Sequence, residues 1–320
     1  MSEPRHTLHV VSGKGGTGKT TIAAGLACAL ATRGRRVLLC EVEGRQGLAE
    51  LFGVHPLEGD EERRLTRTPT GGSVYGLSID AEDALREYLD TFYHLGLAGR
   101  ALDRFGVIDF VTSIAPGLRD VLLTGKVYEA VRRGQKGLPT AYDAVVLDAP
   151  PTGRIGQFLN IHDAVSGIAK VGPIRSQADS VAALLRARTT IVHLVTLLED
   201  MPVTETEEAV AALAPSGTRV GTIIENMVSP SPFEPAVLAD VAAGAVNLSV
   251  PGWDEQRNKT LAGEFAVEAA RTLEQQVRHD RLLRLGLPLV QVDFDPLGVD
   301  AESLFAIAEQ LTDQLALEAA

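Results

Sequence analysis

The chain has 320 residues, 45% of them hydrophobic and 22% charged, and its formal charge is −12. That profile fits a folded globular protein and excludes a disordered or fibrous chain; the acidic balance argues against binding nucleic acid through phosphate neutralisation. Two cysteines, Cys28 and Cys40, lie far from any CxxC spacing, so no disulfide framework or structural zinc site is expected, and both read as small core residues.

The opening MSEPRHT is polar and runs straight into a strand. Neither a signal peptide nor an apolar run of about 18 residues is present, so a cytoplasmic protein with no direct membrane insertion is expected. Thr7 to Ser12 is β-rich and is followed by GKGGTGKT, then by the helical IAAGLACALATRG ending at Gly34, then by an apolar strand from Val37 to Val42. Strand, loop, helix and strand in this order open a βαβ unit. Polar residues from His55 to Ser73 read as a surface loop, and Ser73 to Ile79 as a further strand.

Residues 82 to about 133 change character. Val107, Ile108, Phe110, Val111, Ile114, Leu118, Val121 and Leu122 recur at helical spacing and predict a helical insertion. It reads either as a layer packed on itself and the sheet or as a surface for a protein client. Strands are expected at Ala144 to Leu147 and in the runs that begin at Thr189, Thr218 and Leu287. Helices are expected at 155–168, 175–187, 202–213, 259–285 and 300–317. Alternating strands and helices predict one α/β domain over 1–320, with a doubly wound, mostly parallel sheet.

Gly13 to Thr20 satisfies G-x-x-x-x-G-K-[ST] between a strand and a helix. Gly13, Gly15, Gly16, Thr17 and Gly18 let the backbone curl so that its amides face phosphate oxygens at a helix N-terminus. Lys19 is expected to reach the β- and γ-phosphates of ATP, and the Thr20 hydroxyl to ligate Mg²⁺; Thr21 completes the binding run. Asp148 ends the strand AVVLD and is expected to hold the Mg²⁺ shell through water, with Ala149 to Arg154 as a γ-phosphate sensor. Glu41 and Glu43 alternate at the end of the second strand, so both side chains point the same way if the strand persists. Glu43, nearer the loop, is expected to position the attacking water; the role of Glu41 stays open. Asn226 ends a late strand, and its amide can pair with both the donor and the acceptor of adenine. The loop from Asp293 to Gly298, with Pro296, is expected to form the other wall. The histidines have no metal-ligand spacing.

These residues together resemble the deviant-Walker-A ATPases, whose hallmark is the additional lysine of KGGxGKT, here Lys14. Within that class the chain looks most like the ArsA-type anion-transporting ATPases, the family that includes the tail-anchored-protein targeting ATPases. The resemblance runs through GKGGTGKTT, VEGRQGLAELFG, DAPPTGRIGQFL, the Asn226 strand end and the closing strand, loop and helix, and is strongest to a bacterial branch with a single ATPase domain. It implies a nucleotide-switched dimer, with itself or with a related ATPase subunit, in which Lys14 reaches across the interface to the partner's phosphates and hydrolysis moves the helical insertion. The chain departs from the family in carrying Glu43-Gly44 where Asp-Pro is usual, in lacking the zinc-binding CxxC, and in having 3 Met for a client groove. The Glu43 departure leaves a nucleotide-binding regulatory module with negligible turnover as the alternative. A membrane-positioning relative is disfavoured because the closing helix, ESLFAIAEQLTDQLALEAA, carries no Lys or Arg.

Overall fold

The structure is a computed structural model that describes residues 7–31, 34–42, 46–57, 59, 61–93, 116–136, 138, 141–159 and 173–315. Eight strands form one sheet in the order β3-β4-β2-β5-β1-β6-β7-β8. They are β1 (Leu8–Gly13), β2 (Arg36–Val42), β3 (Arg63–Arg67), β4 (Ser73–Ile79), β5 (Ala144–Asp148), β6 (Thr190–Thr196), β7 (Val220–Val228) and β8 (Leu289–Asp293). Every pairing is parallel except β3 with β4.

β1, β5 and β6 are buried along their whole length, as expected for parallel strands covered on both faces. One face packs Val11, Leu39 and Val146 against α1 (Lys19–Leu30) and the closing helix. The other packs Leu8, Val10, Leu38 and Leu147 against helices that follow β4, β5 and β6. These are α3 (Ala81–Tyr93), α4 (Pro116–Gln135), α5 (Thr152–Leu159), α6 (Pro173–Leu185) and α7 (Asp200–Leu213), whereas the short α2 (Gly47–Leu51), after β2, lies on the α1 side. Beyond β7 come the short α8 (Leu238–Ala242), the long α9 (Glu255–Leu283) and, after β8, α10 (Ser303–Gln314). Gly25 lets α1 and α10 meet closely: a Cβ there would lie 2.5 Å from Ile307 Cγ2. The chain winds from β1 toward β2 on one side and later toward β6 on the other. The crevice beyond the carboxyl end of β1 is therefore the topological switch point, where such sheets bind ligands.

Two departures from the expected elements have plain causes. The polar stretch expected as a loop from His55 to Ser73 contains β3. Leu65 is buried while Arg63, Arg64 and Arg67 face water, so one inward residue per strand is the whole apolar signal. Leu65 fits because it packs over Gly76, whose missing Cβ would lie 2.8 Å from Leu65 Cδ1; charged side chains suit an edge strand. The short α8 was also not foreseen. It packs with α9 through Leu238, Val241 and Ala269 into a small cluster separate from both main cores.

The insertion is represented by α3 and α4. Val107, Ile108, Phe110, Val111 and Ile114 lie outside the described residues. Val121 and Leu122 are buried, and Val121 joins the main core, so this end of the insertion is a packed layer. Among the described residues, no helix is long and apolar enough to cross a membrane.

Candidate active site

β1 delivers Gly13 to the switch point, pressed so closely on β6 that a Cβ would lie 2.1 Å from the Val195 carbonyl oxygen. The following turn closes on the Lys14 carbonyl. That oxygen accepts from the Thr17 amide at 3.3 Å, from Thr17 Oγ1 at 2.8 Å and from Lys19 Nζ at 3.1 Å. Gly16 and Gly18 have φ of 86° and 82°, in the left-handed region that glycine tolerates. Gly15 and Gly16 face solvent, while Thr17 and Lys19 are buried. Lys19 opens α1, so its ammonium and the first amides of the helix lie together at the positive end of the helix dipole. Thr20 and Thr21 follow, both partly buried.

The carboxylates of β2 and β5 meet α1 from the sheet. Glu41 and Asp148 stand opposite each other in the register of the two strands. Asp148 Oδ2 accepts from Thr20 Oγ1 at 2.7 Å. This hydroxyl and carboxylate suit Mg²⁺, which takes few protein ligands and fills its shell with water and substrate phosphates. Among the described residues, no group of three or more His, Cys, Asp or Glu is placed to hold a metal ion. Glu41 is buried, and its two oxygens accept the amides of Leu48 at 2.9 Å and Gly47 at 3.3 Å. It thus ties the first turn of α2 to the sheet, a role that its spacing alone left open. Glu43 lies outside the described residues.

Asn226 is buried near the end of β7, and its Nδ2 donates to the Thr17 carbonyl at 2.9 Å. A register shift between Glu225 and Val228 marks a bulge there, and Met227 takes φ 56°. Bulges of this kind re-aim side chains near functional sites. The Asn226 amide occupies the space left by the absent Cβ of Gly18, which would lie 2.3 Å from Nδ2. At least half of the amide expected to read adenine is therefore engaged by the phosphate loop. Asp293 ends β8, its amide donating to Gln310 Oε1 at 3.1 Å, and the next amide, of Phe294, donates to Val228 at 2.9 Å. Pro296 is exposed, Leu297 is 95% exposed, and Phe294 and Met227 are also exposed, so this edge offers apolar surface beside the loop.

Lys14 is placed differently from the rest of its loop. Its Nζ forms an ion pair with Glu205 Oε1 on α7 of the same chain. Glu205 Oε2 accepts from Thr152 Oγ1 at 3.1 Å, at the start of α5. The turn before α5 is itself fixed: Ser12 Oγ donates to the Pro150 carbonyl at 2.7 Å, and Ala149 N to the Val11 carbonyl at 2.9 Å. Arg154 lies 3.8 Å from Asp120 of α4, linking this turn to the insertion. Glu205 and Met227 escaped the sequence reading, and Thr152 entered it only as part of the Ala149–Arg154 turn. Glu205 sits in the run TETEE, where nothing separates it from surface helix acids.

Both cysteines are buried away from the phosphate loop. Burial pushes the Cys28 thiol up to about 12, and burial followed by the negative Glu62 raises that of Cys40 further. Burial thus favours the protonated thiol in both.

Residues 6–187 match the family described as anion-transporting ATPase. The chain is 46% identical to ATPase BagA of Mycobacterium tuberculosis over 321 aligned positions, covering 96% of this chain and 93% of that protein. It is 26% identical to ATPase GET3 of Kluyveromyces lactis over 54% of this chain and 52% of that protein. ATPase ARSA1 of Chlamydomonas reinhardtii is 27% identical over 55% of this chain and 25% of that protein. A glycine loop closed on its own lysine carbonyl, a threonine–aspartate pair beside it, and a family match that spans both place the chain in the ArsA-type anion-transporting ATPase family, as an ATP hydrolase.

Proposed function

We propose that this chain is a Mg²⁺-dependent ATPase that works as a nucleotide-switched dimer, with a second copy or a related ATPase subunit. The observation that carries the Mg²⁺–ATP reading is the bond from Thr20 Oγ1 to Asp148 Oδ2, which sets a hydroxyl and a carboxylate beside Lys19 at the N-terminus of α1. The amides of the Gly13–Gly18 turn and Lys19 bind the phosphate chain, and Lys19 leaves the Lys14 carbonyl to do so. Thr20 and Asp148 would hold Mg²⁺, which when bound offsets charge on the β- and γ-phosphates. Glu43 orients the attacking water and accepts its proton, Glu41 having been committed to the start of α2.

Adenine lies against Met227, Phe294 and the Asp293–Gly298 loop, with Asn226 beside it. The γ-phosphate acts on the Ala149–Arg154 turn, and Arg154 passes the change to Asp120 of α4. A protein client on the helical insertion would feel that change. Lys14 supplies its charge to phosphate across the dimer, as a cation supplied in trans does elsewhere in phosphoryl transfer.

Phosphate release from the wild type, with Lys19→Ala as control, tests the enzyme. Release at the level of the control would favour a nucleotide-binding regulatory module instead. Light scattering with a non-hydrolysable ATP analogue, on wild type and Lys14→Ala, tests the dimer. The expected result is analogue-driven association of the wild type and none of the variant. Full activity in a strictly monomeric wild type would overturn the trans lysine. The mixed pair must be run too, because a heteromeric partner would leave this chain alone unable to close.

A further inference from the structure

Glu205 holds two residues of the site at once, and they come from different loops. One oxygen takes Lys14 from the phosphate loop, and the other takes Thr152 from the turn that follows Asp148. The side chains of Lys14 and Glu205 are 27% and 29% exposed, sheltered but still in touch with water. α7 is anchored from its far side. Asp200 receives Arg278 of α9 at 3.0 Å, and Glu207 receives Arg281 at 2.7 Å. Between a helix fixed at several points and a lysine on a glycine-rich loop, the lysine is the part that can move.

We propose that Glu205 is a positioning residue that holds Lys14 in the nucleotide-free chain and releases it when the turn at Thr152 rearranges. This rests on the reading that Lys14 acts on nucleotide phosphate. A lysine paired with Glu205 is unavailable to phosphate, so every binding event that uses Lys14 must first break this pair. Thr152 opens α5 within the Ala149–Arg154 turn expected to sense the γ-phosphate, so a shift there removes one of the two groups that orient the carboxylate. Occupancy by ATP, more than by ADP, then favours release.

The experiment measures affinity for a non-hydrolysable ATP analogue and for ADP, with kcat and KM for ATP. The proteins are wild type, Glu205→Gln, Lys14→Ala and the double variant. An ion pair of this exposure holds its lysine modestly, so Glu205→Gln is expected to tighten analogue binding about two- to fivefold. ADP should change less, and KM should fall by more than kcat changes. In the Lys14→Ala background Glu205→Gln should have no such effect, because nothing remains to be released. Should Glu205→Gln not fold, Glu205→Asp, one methylene short of spanning both partners, carries the same expectation. Unchanged or weaker analogue binding overturns the proposal, and so does equal tightening in the Lys14→Ala background. A coupling between Lys14 and Glu205 in the unfolding of the nucleotide-free protein, without any change in affinity, would reduce the pair to a structural contact and also overturn it. Failure of the ATPase reading shows separately, as a wild type that binds nucleotide no better than Lys19→Ala.

Discussion

Asn226 makes a test that separates architecture from nucleotide recognition. Its Nδ2 donates to the Thr17 carbonyl at 2.9 Å, and Thr17 is 1% exposed. Asn226→Ala removes the donor and leaves that carbonyl without this bond in a buried place, which costs about 1–3 kcal/mol. The bond joins two parts of the chain itself, so its loss is read from the midpoint of urea unfolding with no ATP added. Asn226→Asp should be worse than alanine at neutral pH. A carboxylate would face the Thr17 carbonyl, acceptor to acceptor. Burial raises the carboxyl pKa of such a variant, so its acid form persists above the usual range and donates again. Its midpoint should therefore climb toward or past that of alanine as the pH is lowered, and fall as the pH rises through the raised pKa. Gly18→Ala should mimic the alanine variant from the other side, since its methyl would occupy the place of the amide. If Asn226→Ala unfolds at the wild-type midpoint and loses only nucleotide binding, the bond to Thr17 contributes nothing and the reasoning fails.

Glu43→Gln should bind ATP as wild type does and turn it over at least about tenfold more slowly, the scale of losing a water-positioning base; wild-type turnover in that protein removes Glu43 from the role. Asp148→Asn should slow turnover and flatten the dependence of nucleotide binding on Mg²⁺ concentration, measured by titrating the metal at fixed nucleotide. Glu41→Gln keeps an oxygen for one of the two amides it holds and loses the charge-assisted second bond, so a destabilisation of about 1–2 kcal/mol is expected. Faster hydrogen exchange confined to Gly47 and Leu48 is the signature; exchange unchanged there would show that α2 does not depend on Glu41.

The phosphate loop and the α/β order were legible because their signals are local. Glycine and lysine spacing, an apolar run before and a small-residue helix after are read within about twenty residues, and the strands of a buried parallel sheet announce themselves as continuous apolar runs. β3 was not legible because a charged edge strand buries one residue, Leu65, and one residue has no period. Asp148 was found at the end of its strand, and the structure adds that its carboxylate meets Thr20. What the additional lysine touches belongs to another class of question. Lys14 and Glu205 are 191 residues apart, as Asn226 and Thr17 are 209 apart, and no pattern along the chain couples members of such pairs. Composition, periodicity and the glycine loop by themselves determined the fold class and pointed to the phosphate chemistry, because both depend on neighbours in sequence. Only the tertiary structure decided that Glu41 secures α2, that Asn226 braces the loop and that Lys14 rests on α7, because each depends on which strand ends and helices the winding of the sheet brings to one edge.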